Sequence, residues 1–244
     1  MSDEAVVSAS APESALPVAE AQPEGAKGAS APPTLASLAV LAAAIGVFAL
    51  IARRVATKSA EPTDQATRDW IQEHRNAALD VAVKPVTMLS VPMLVVAATG
   101  ALVLWLHRTG RGNAAIAVAI APVMAATAGQ SFTTFLAQRN PPDAGDSPHG
   151  EVTEPSFPSG HTTGVTAEAL GIAYILSREG LAKPAMLAAL MAWPMLVGTS
   201  RVYRDRHWIT DVIGGWVAGA GVAAISAMVY DGLAARSAPE TLAG

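Results

Sequence analysis

Two residues near the C-terminal end of the chain have the types and spacing of a nucleophilic or basic pair. His207 and Asp211 are four residues apart, so on the first turn of a helix they share one face. A carboxylate on one ring nitrogen fixes the tautomer of an imidazole and leaves the other nitrogen as base or nucleophile. Arg201 precedes them and can bind two oxygens of one phosphate group. This stretch predicts an oxyanion site, and a polar cluster at the level of lipid headgroups is the alternative interpretation.

A second stretch, Ser159-Gly160-His161, has the residue types of a helix start that binds an anion. Serine is a good N-cap, and glycine lets the backbone approach a ligand closely. The unpaired N–H groups and the dipole of a helix then favour a negative charge. His161 would stand at that anion and could donate a proton to it. A helix cap without catalytic function is the alternative interpretation.

Composition indicates where such a site would operate. The 244 residues are 51% hydrophobic and 15% charged, with a mean hydropathy of +0.35, whereas soluble domains carry roughly 25% charged residues. These values disfavour a soluble enzyme, a disordered chain and a protein that binds nucleic acid. The absence of cysteine excludes disulfides, thiolate metal sites and cysteine nucleophiles.

Long apolar segments predict an all-α protein with six transmembrane helices. Each segment is close to the ~20 residues that cross a hydrocarbon core of about 30 Å, and backbone groups in lipid must be bonded within a helix. Residues 63–81 are polar with one apolar stripe, which predicts a short interfacial helix that connects the first two spans. The six apolar segments are residues 35–52, 85–106, 113–138, 161–177, 184–200 and 212–230.

The predicted domain organisation follows from these segments. Residues 1–33 are rich in Ala, Pro and Glu, cannot bury enough apolar surface to fold, and predict a disordered tail. Residues 34–231 form the six-span domain, and residues 232–244 a short C-terminal tail.

Six spans place both termini on one side of the membrane. The polar stretches around Arg139, Ser159 and His207 then share the other side, which is the main argument for a single site. Basic residues in the turns at 107–112 and 178–183 predict that the termini are cytoplasmic and the site extracytoplasmic. In this topology the outer side also carries basic residues, namely Arg53, Arg54 and Lys58. Basic residues therefore lie on both sides of the membrane, and the charge rule alone supports this orientation only in part.

Together these motifs resemble one family. Pro158-Ser159-Gly160-His161, followed by Ser200-Arg201, five residues, His207, three residues and Asp211, is similar to the pattern of type 2 phosphatidic acid phosphatases. The resemblance covers roughly residues 63–230 and includes the six-span layout.

The resemblance implies a metal-independent lipid phosphatase of the cell membrane that uses no cofactor and forms a phosphohistidine intermediate. His207 would be the nucleophile, Asp211 its orienting carboxylate, and His161 the acid that protonates the leaving oxygen. The phosphoryl group would be held by Ser159, Gly160, Arg201 and Arg139.

The first motif of the family departs from its pattern in this chain. The family has a Lys, then six residues, then an Arg-Pro pair, and here either Thr134 or Thr133 occupies the lysine position. Arg139 is the basic residue that remains. The departure leaves phosphate affinity and activity open.

Three functions are therefore compatible with the sequence. The first is hydrolysis of a membrane lipid phosphate or diphosphate, either phosphatidate-like or a polyprenyl diphosphate. The second is transfer of the phospho group to an alcohol at the same site, and the third is a catalytically impaired membrane protein that binds lipid phosphate. Glu168, inside the fourth apolar segment, could support the site or pair with a polar residue such as Gln130.

Overall fold

The computed structural model describes residues 35–135, 139–142 and 155–237, and for residues 128–135 it describes the backbone alone. The described residues form eight α-helices and contain no strand, which confirms the predicted all-α class. The predicted tail at residues 1–33 lies outside the described residues, and the domain boundaries stay predictions. The helices are α1 (Leu35–Ala56), α2 (Glu61–Glu73), α3 (Ala77–Leu89), α4 (Pro92–Arg108), α5 (Gly112–Phe135), α6 (Gly160–Arg178), α7 (Pro184–Tyr203) and α8 (Ile209–Ser237).

Helix length and apolarity identify fewer membrane spans than the six predicted. Among the described residues, α1, α7 and α8 are each long and apolar enough to cross a membrane. Helices α3 and α4 pass the same test together, as a pair bent by 52°. In α5 the side chains are described over Gly112–Thr127, a stretch shorter than a full span, and α6 carries the buried carboxyl group of Glu168. The chain is a membrane protein, and the count of six spans is not confirmed.

Two helix breaks interrupt segments that the sequence predicted to be continuous. The surface helix expected over residues 63–81 ends at Glu73, because Asn76 adopts an extended backbone and its side chain accepts a hydrogen bond from Leu79 N at 3.0 Å. This cap starts α3. The expected span 85–106 is divided before Pro92, which forces the preceding Val91 out of the helical region.

The centre of the bundle is the contact between α6 and α8. A Cβ atom added at Gly215 would lie 2.8 Å from Cβ of Thr162, and one added at Gly219 would lie 2.7 Å from the carbonyl oxygen of Thr163. Since real Cβ atoms do not approach so closely, these two glycines allow the helix backbones to touch. By contrast, a Cβ atom added at Gly160 would have nothing within 4 Å.

A polar network closes the end of the bundle where α6 and α8 terminate. Tyr230 donates to Glu179 at 2.7 Å, and Arg111 in the turn before α5 lies 3.3 Å from the same carboxylate. Asp231 is fully buried, accepts from Tyr174 at 2.7 Å and lies 3.3 Å from Arg178. The turns before α5 and after α6 therefore lie at one end, and the starts of α6 and α8 lie at the other.

We predict that Gly219→Ala destabilises the protein, because the new methyl group would press on the backbone of α6. The expected loss is about 1–3 kcal/mol in the free energy of unfolding. Gly232→Ala, on the same helix, is the matched control, because nothing lies within 4 Å of its added Cβ. Thermal unfolding in detergent should show a lower midpoint for Gly219→Ala alone. Equal midpoints for both variants would contradict this packing.

Candidate active site

The start of α6 forms one half of the site. Ser159 is fully buried and has an extended backbone, and its Oγ accepts from Thr162 N at 3.4 Å and from Thr162 Oγ1 at 2.9 Å. The predicted N-cap is therefore confirmed. Gly160 and His161 follow on the first turn, where backbone N–H groups have no acceptor within the helix. This end of α6 can accept an anion at the backbone, while the Ser159 hydroxyl is already engaged with Thr162.

The start of α8 forms the other half. Asp211 is fully buried, and its Oδ2 accepts from the backbone N–H of Trp208 at 2.9 Å, as a carboxylate of a capping box does. His207 Nδ1 lies 3.5 Å from the same oxygen, which is long for a hydrogen bond. His207 thus lies beside Asp211, and a hydrogen bond between them would form if the imidazole ring moved slightly closer.

The two halves are joined directly. The backbone N–H of Ser159 donates to the carbonyl oxygen of Asp211 at 3.0 Å. Arg201, on the last turn of α7, and His207 are both close enough to His161 to act electrostatically on its ring. Arg206 also acts on that ring. The structure therefore brings the two histidines, Arg201 and the start of α6 together.

Arg139 lies beside Asp211. Its Nη2 donates to Asp211 Oδ1 at 2.6 Å and to Thr210 Oγ1 at 2.6 Å, and its Nε donates to Asp211 Oδ1 at 3.0 Å. Its Nη1 donates to Asp64 Oδ2 at 2.6 Å. Arg139 is thus at the site, and all three guanidinium nitrogens contact protein oxygens. Its role as a phosphate ligand stays a prediction.

Sequence reasoning missed Asp64. This residue of α2 is 2% exposed, and its Oδ1 accepts from the backbone N–H of Thr210 at 3.0 Å. An aspartate on a polar, amphipathic helix has no local sign of burial, so the sequence offered no signal for it. The side chains of Thr133 and Thr134, at the expected lysine position, lie outside the described residues.

A cavity of about 370 Å³ lies between α4, α5 and α6 and reaches His161. Apart from Ser90, His161 and Glu168, its walls are apolar residues and glycines. Glu168 accepts a hydrogen bond from Thr99 of α4, while the side chain of Gln130 lies outside the described residues. In the described ranges, no three His, Asp or Glu side chains are grouped so that they could hold a metal ion.

Comparison with known proteins finds a family pattern over the C-terminal half of the bundle. The pattern that defines the PAP2 superfamily matches residues 114–233, a range that contains Arg139, both histidines, Arg201 and Asp211. No curated protein matches the chain with significant sequence similarity.

A solved structure has the same fold. The crystal structure described as that of the first transmembrane PAP2-type phosphatidylglycerolphosphate phosphatase, from Bacillus subtilis, superposes with a TM-score of 0.65 at 20% sequence identity. The match covers 82% of this chain and 98% of the other. Residues 114–233 therefore carry the PAP2 superfamily pattern, which confirms the predicted resemblance to type 2 phosphatidic acid phosphatases, and the solved structure shares the fold of this chain.

Proposed function

We propose that this protein is an integral membrane phosphatase that hydrolyses a lipid phosphate or diphosphate, phosphatidate-like or polyprenyl, through a phosphohistidine intermediate. The observation that carries the proposal is the meeting of two helix starts. The start of α8 supplies His207 with its carboxylate Asp211, and the start of α6 supplies His161 and the anion-binding amides. The hydrogen bond of 3.0 Å from Ser159 N to the carbonyl oxygen of Asp211 joins the two helix starts.

In the first step, an imidazole nitrogen of His207 attacks phosphorus, and the bond between phosphorus and the leaving oxygen breaks. His161 gives its proton to that oxygen, so the leaving group departs protonated, as the lipid alcohol from a monophosphate and as the lipid monophosphate from a diphosphate. Asp211 faces Nδ1 of His207, which leaves Nε2 as the attacking nitrogen. Arg201 and the amides of Gly160 and His161 hold the phosphoryl oxygens, on which charge is spread in the transition state.

In the second step, water attacks the phosphohistidine. His161, now neutral, accepts the proton of that water, the bond between phosphorus and nitrogen breaks, and inorganic phosphate leaves. The positive charge that stabilises the phosphoryl oxygens comes from Arg201, from the protonated histidine and from the starts of the two helices. We therefore propose that hydrolysis needs no metal ion.

The cavity beside His161 supports a lipid as the substrate. His161 protonates the leaving oxygen in the proposed mechanism, so the alcohol must lie on the side of the site where His161 stands. That side is the cavity of about 370 Å³, with its predominantly apolar walls between α4, α5 and α6. An apolar cavity suits a hydrocarbon chain better than a sugar or a nucleotide.

We predict that the purified protein in detergent releases inorganic phosphate from at least one member of a panel of phosphatidate, phosphatidylglycerolphosphate and polyprenyl diphosphate, with EDTA present. His207→Ala should lower the rate at least about 10³-fold, because it removes the nucleophile. His74→Ala is the control, since His74 bonds the carbonyl oxygen of Trp70 at the end of α2.

Two results would contradict the proposal. Activity that EDTA abolishes and a divalent ion restores would exclude metal independence, and unchanged release by His207→Ala would exclude the nucleophile. Transfer of the phosphate to an added alcohol in preference to water would favour the transferase interpretation, and binding without turnover would favour the impaired protein.

We propose further that α1, the bent α3–α4 pair, α5, α6, α7 and α8 are six spans, with both termini in the cytoplasm. The two ends of α6 and α8 support this arrangement. The site and α2 lie at one end, through the contact between Asp64 and Thr210. The turn at Arg111 lies at the other end, through its ion pair with Glu179.

We predict that Gln72→Cys, on α2, reacts with an impermeant maleimide in intact cells and that Thr109→Cys does not. Both residues are exposed, and the native chain has no cysteine, so each label reports one position. After the cells are lysed, both cysteines should react. Protection of Gln72→Cys together with labelling of Thr109→Cys in intact cells would reverse the topology.

A further inference from the structure

Helix α2 does more than connect α1 to α3, because a buried carboxylate on it contacts the start of α8. Both oxygens of Asp64 are engaged. Oδ1 accepts from Thr210 N at 3.0 Å, and Oδ2 accepts from Arg139 Nη1 at 2.6 Å and from Thr210 Oγ1 at 2.8 Å. The first N–H groups of α8 have no acceptor within the helix, and Asp64 supplies one from another helix. The start of α8, which carries Asp211, is thereby fixed to α2.

A second contact from α2 reaches the turn on the other side of His207. Arg68, one helical turn after Asp64, donates through Nε and Nη2 to the two oxygens of Asp205, at 2.8 and 2.7 Å. Asp205 has a φ of 61°, a left-handed conformation that is unfavourable for a residue other than glycine. Such a conformation persists where the surrounding contacts determine it. Thus α2 contacts the chain on both sides of His207, at Asp205 two residues before it and at Thr210 three residues after it.

Alternating charges connect α2 to the nucleophile. Asp64 contacts Arg139, Arg139 contacts Asp211 through Oδ1, and Asp211 faces His207 through Oδ2. Without Asp64, the Arg139 guanidinium would have Asp211 as its single buried counter-ion. It would then draw on the carboxylate charge that orients His207 and stabilises its positive form. Asp64 neutralises Arg139, so Asp211 remains available to His207.

We propose that α2 positions the nucleophile, and that Asp64 and Arg139 are positioning residues that act on His207 through Asp211. The proposal assigns Arg139 to the carboxylate and not to the phosphate. It rests on the proposed function, because it concerns the reaction in which His207 attacks phosphorus.

The test compares kcat with KM for a lipid phosphate that the wild-type protein hydrolyses. In Asp64→Asn, which keeps the shape and removes the charge, kcat should fall about 10- to 100-fold as the nucleophile loses its orientation. KM should stay within about twofold, because the groups that bind phosphate are untouched. Glu73→Gln, an exposed acid on the same helix, should leave both constants unchanged.

A double-mutant cycle separates this role from direct binding of phosphate by Arg139. If Asp64 and Arg139 act through one network, the double variant Asp64→Asn/Arg139→Gln should lose little more kcat than Arg139→Gln alone. Inhibition by inorganic phosphate should also be unchanged in Arg139→Gln. Multiplicative losses of kcat, or weaker inhibition by phosphate, would show that Arg139 binds substrate and would overturn the proposal.

Two controls separate a loss of activity from a loss of folding. They are thermal unfolding of each variant and a second, milder variant. Arg68→Gln breaks the contact with Asp205, at a side chain that is 33% exposed, and should lower kcat with KM unchanged even if Asp64→Asn does not fold. Unchanged kcat per folded molecule in both variants would mean that α2 only supports the fold, which overturns the inference. A wild-type protein that hydrolyses no lipid phosphate would overturn the proposed function, and this inference with it.

Discussion

The contact between α6 and α8 is the constraint on which the site depends. The two helices touch where Gly215 and Gly219 have no side chain, and the Ser159 N–H binds the carbonyl oxygen of Asp211 at their starts. Both helices therefore begin at the same level and present their N-terminal ends to the same space. The positive ends of two helix dipoles add to the charge of Arg201 there. An anion is favoured at this place before any side chain moves.

Buried charge is the second constraint, and it links a surface helix to the interior. A carboxylate such as Asp211, fully removed from solvent, is stable only when it is paired and hydrogen-bonded. Arg139 provides the pairing, but its guanidinium has a further donor, Nη1, that Asp211 does not accept. Asp64 satisfies it from α2. The same rule operates at the far end of the bundle, where buried Asp231 contacts Arg178 and Tyr174.

Short-range patterns made part of the site predictable. Ser159 was predicted as the cap of α6, because capping depends on the geometry of one helix turn. The four-residue spacing also predicted that His207 faces Asp211, although His207 is not on the expected helix turn, since α8 begins at Ile209. Asp64 was not predictable, since its partner Arg139 is 75 residues away and neither residue has a local signature. Hydropathy predicted the helical class. It did not predict the breaks at Asn76 and Pro92, where capping and proline chemistry override apolar content, and the six-span count is not confirmed.

Trapping the phosphorylated intermediate shows whether His207 carries the phosphoryl group, as we propose. Protein mixed with a ³²P-labelled lipid phosphate and quenched in alkali should carry label that is stable to base and released by acid, as a phosphohistidine is. We expect no label in His207→Gln. We also expect that His161→Ala is labelled efficiently by an aryl phosphate, whose leaving group needs no acid. Label of the same stability in His207→Gln would contradict the assignment.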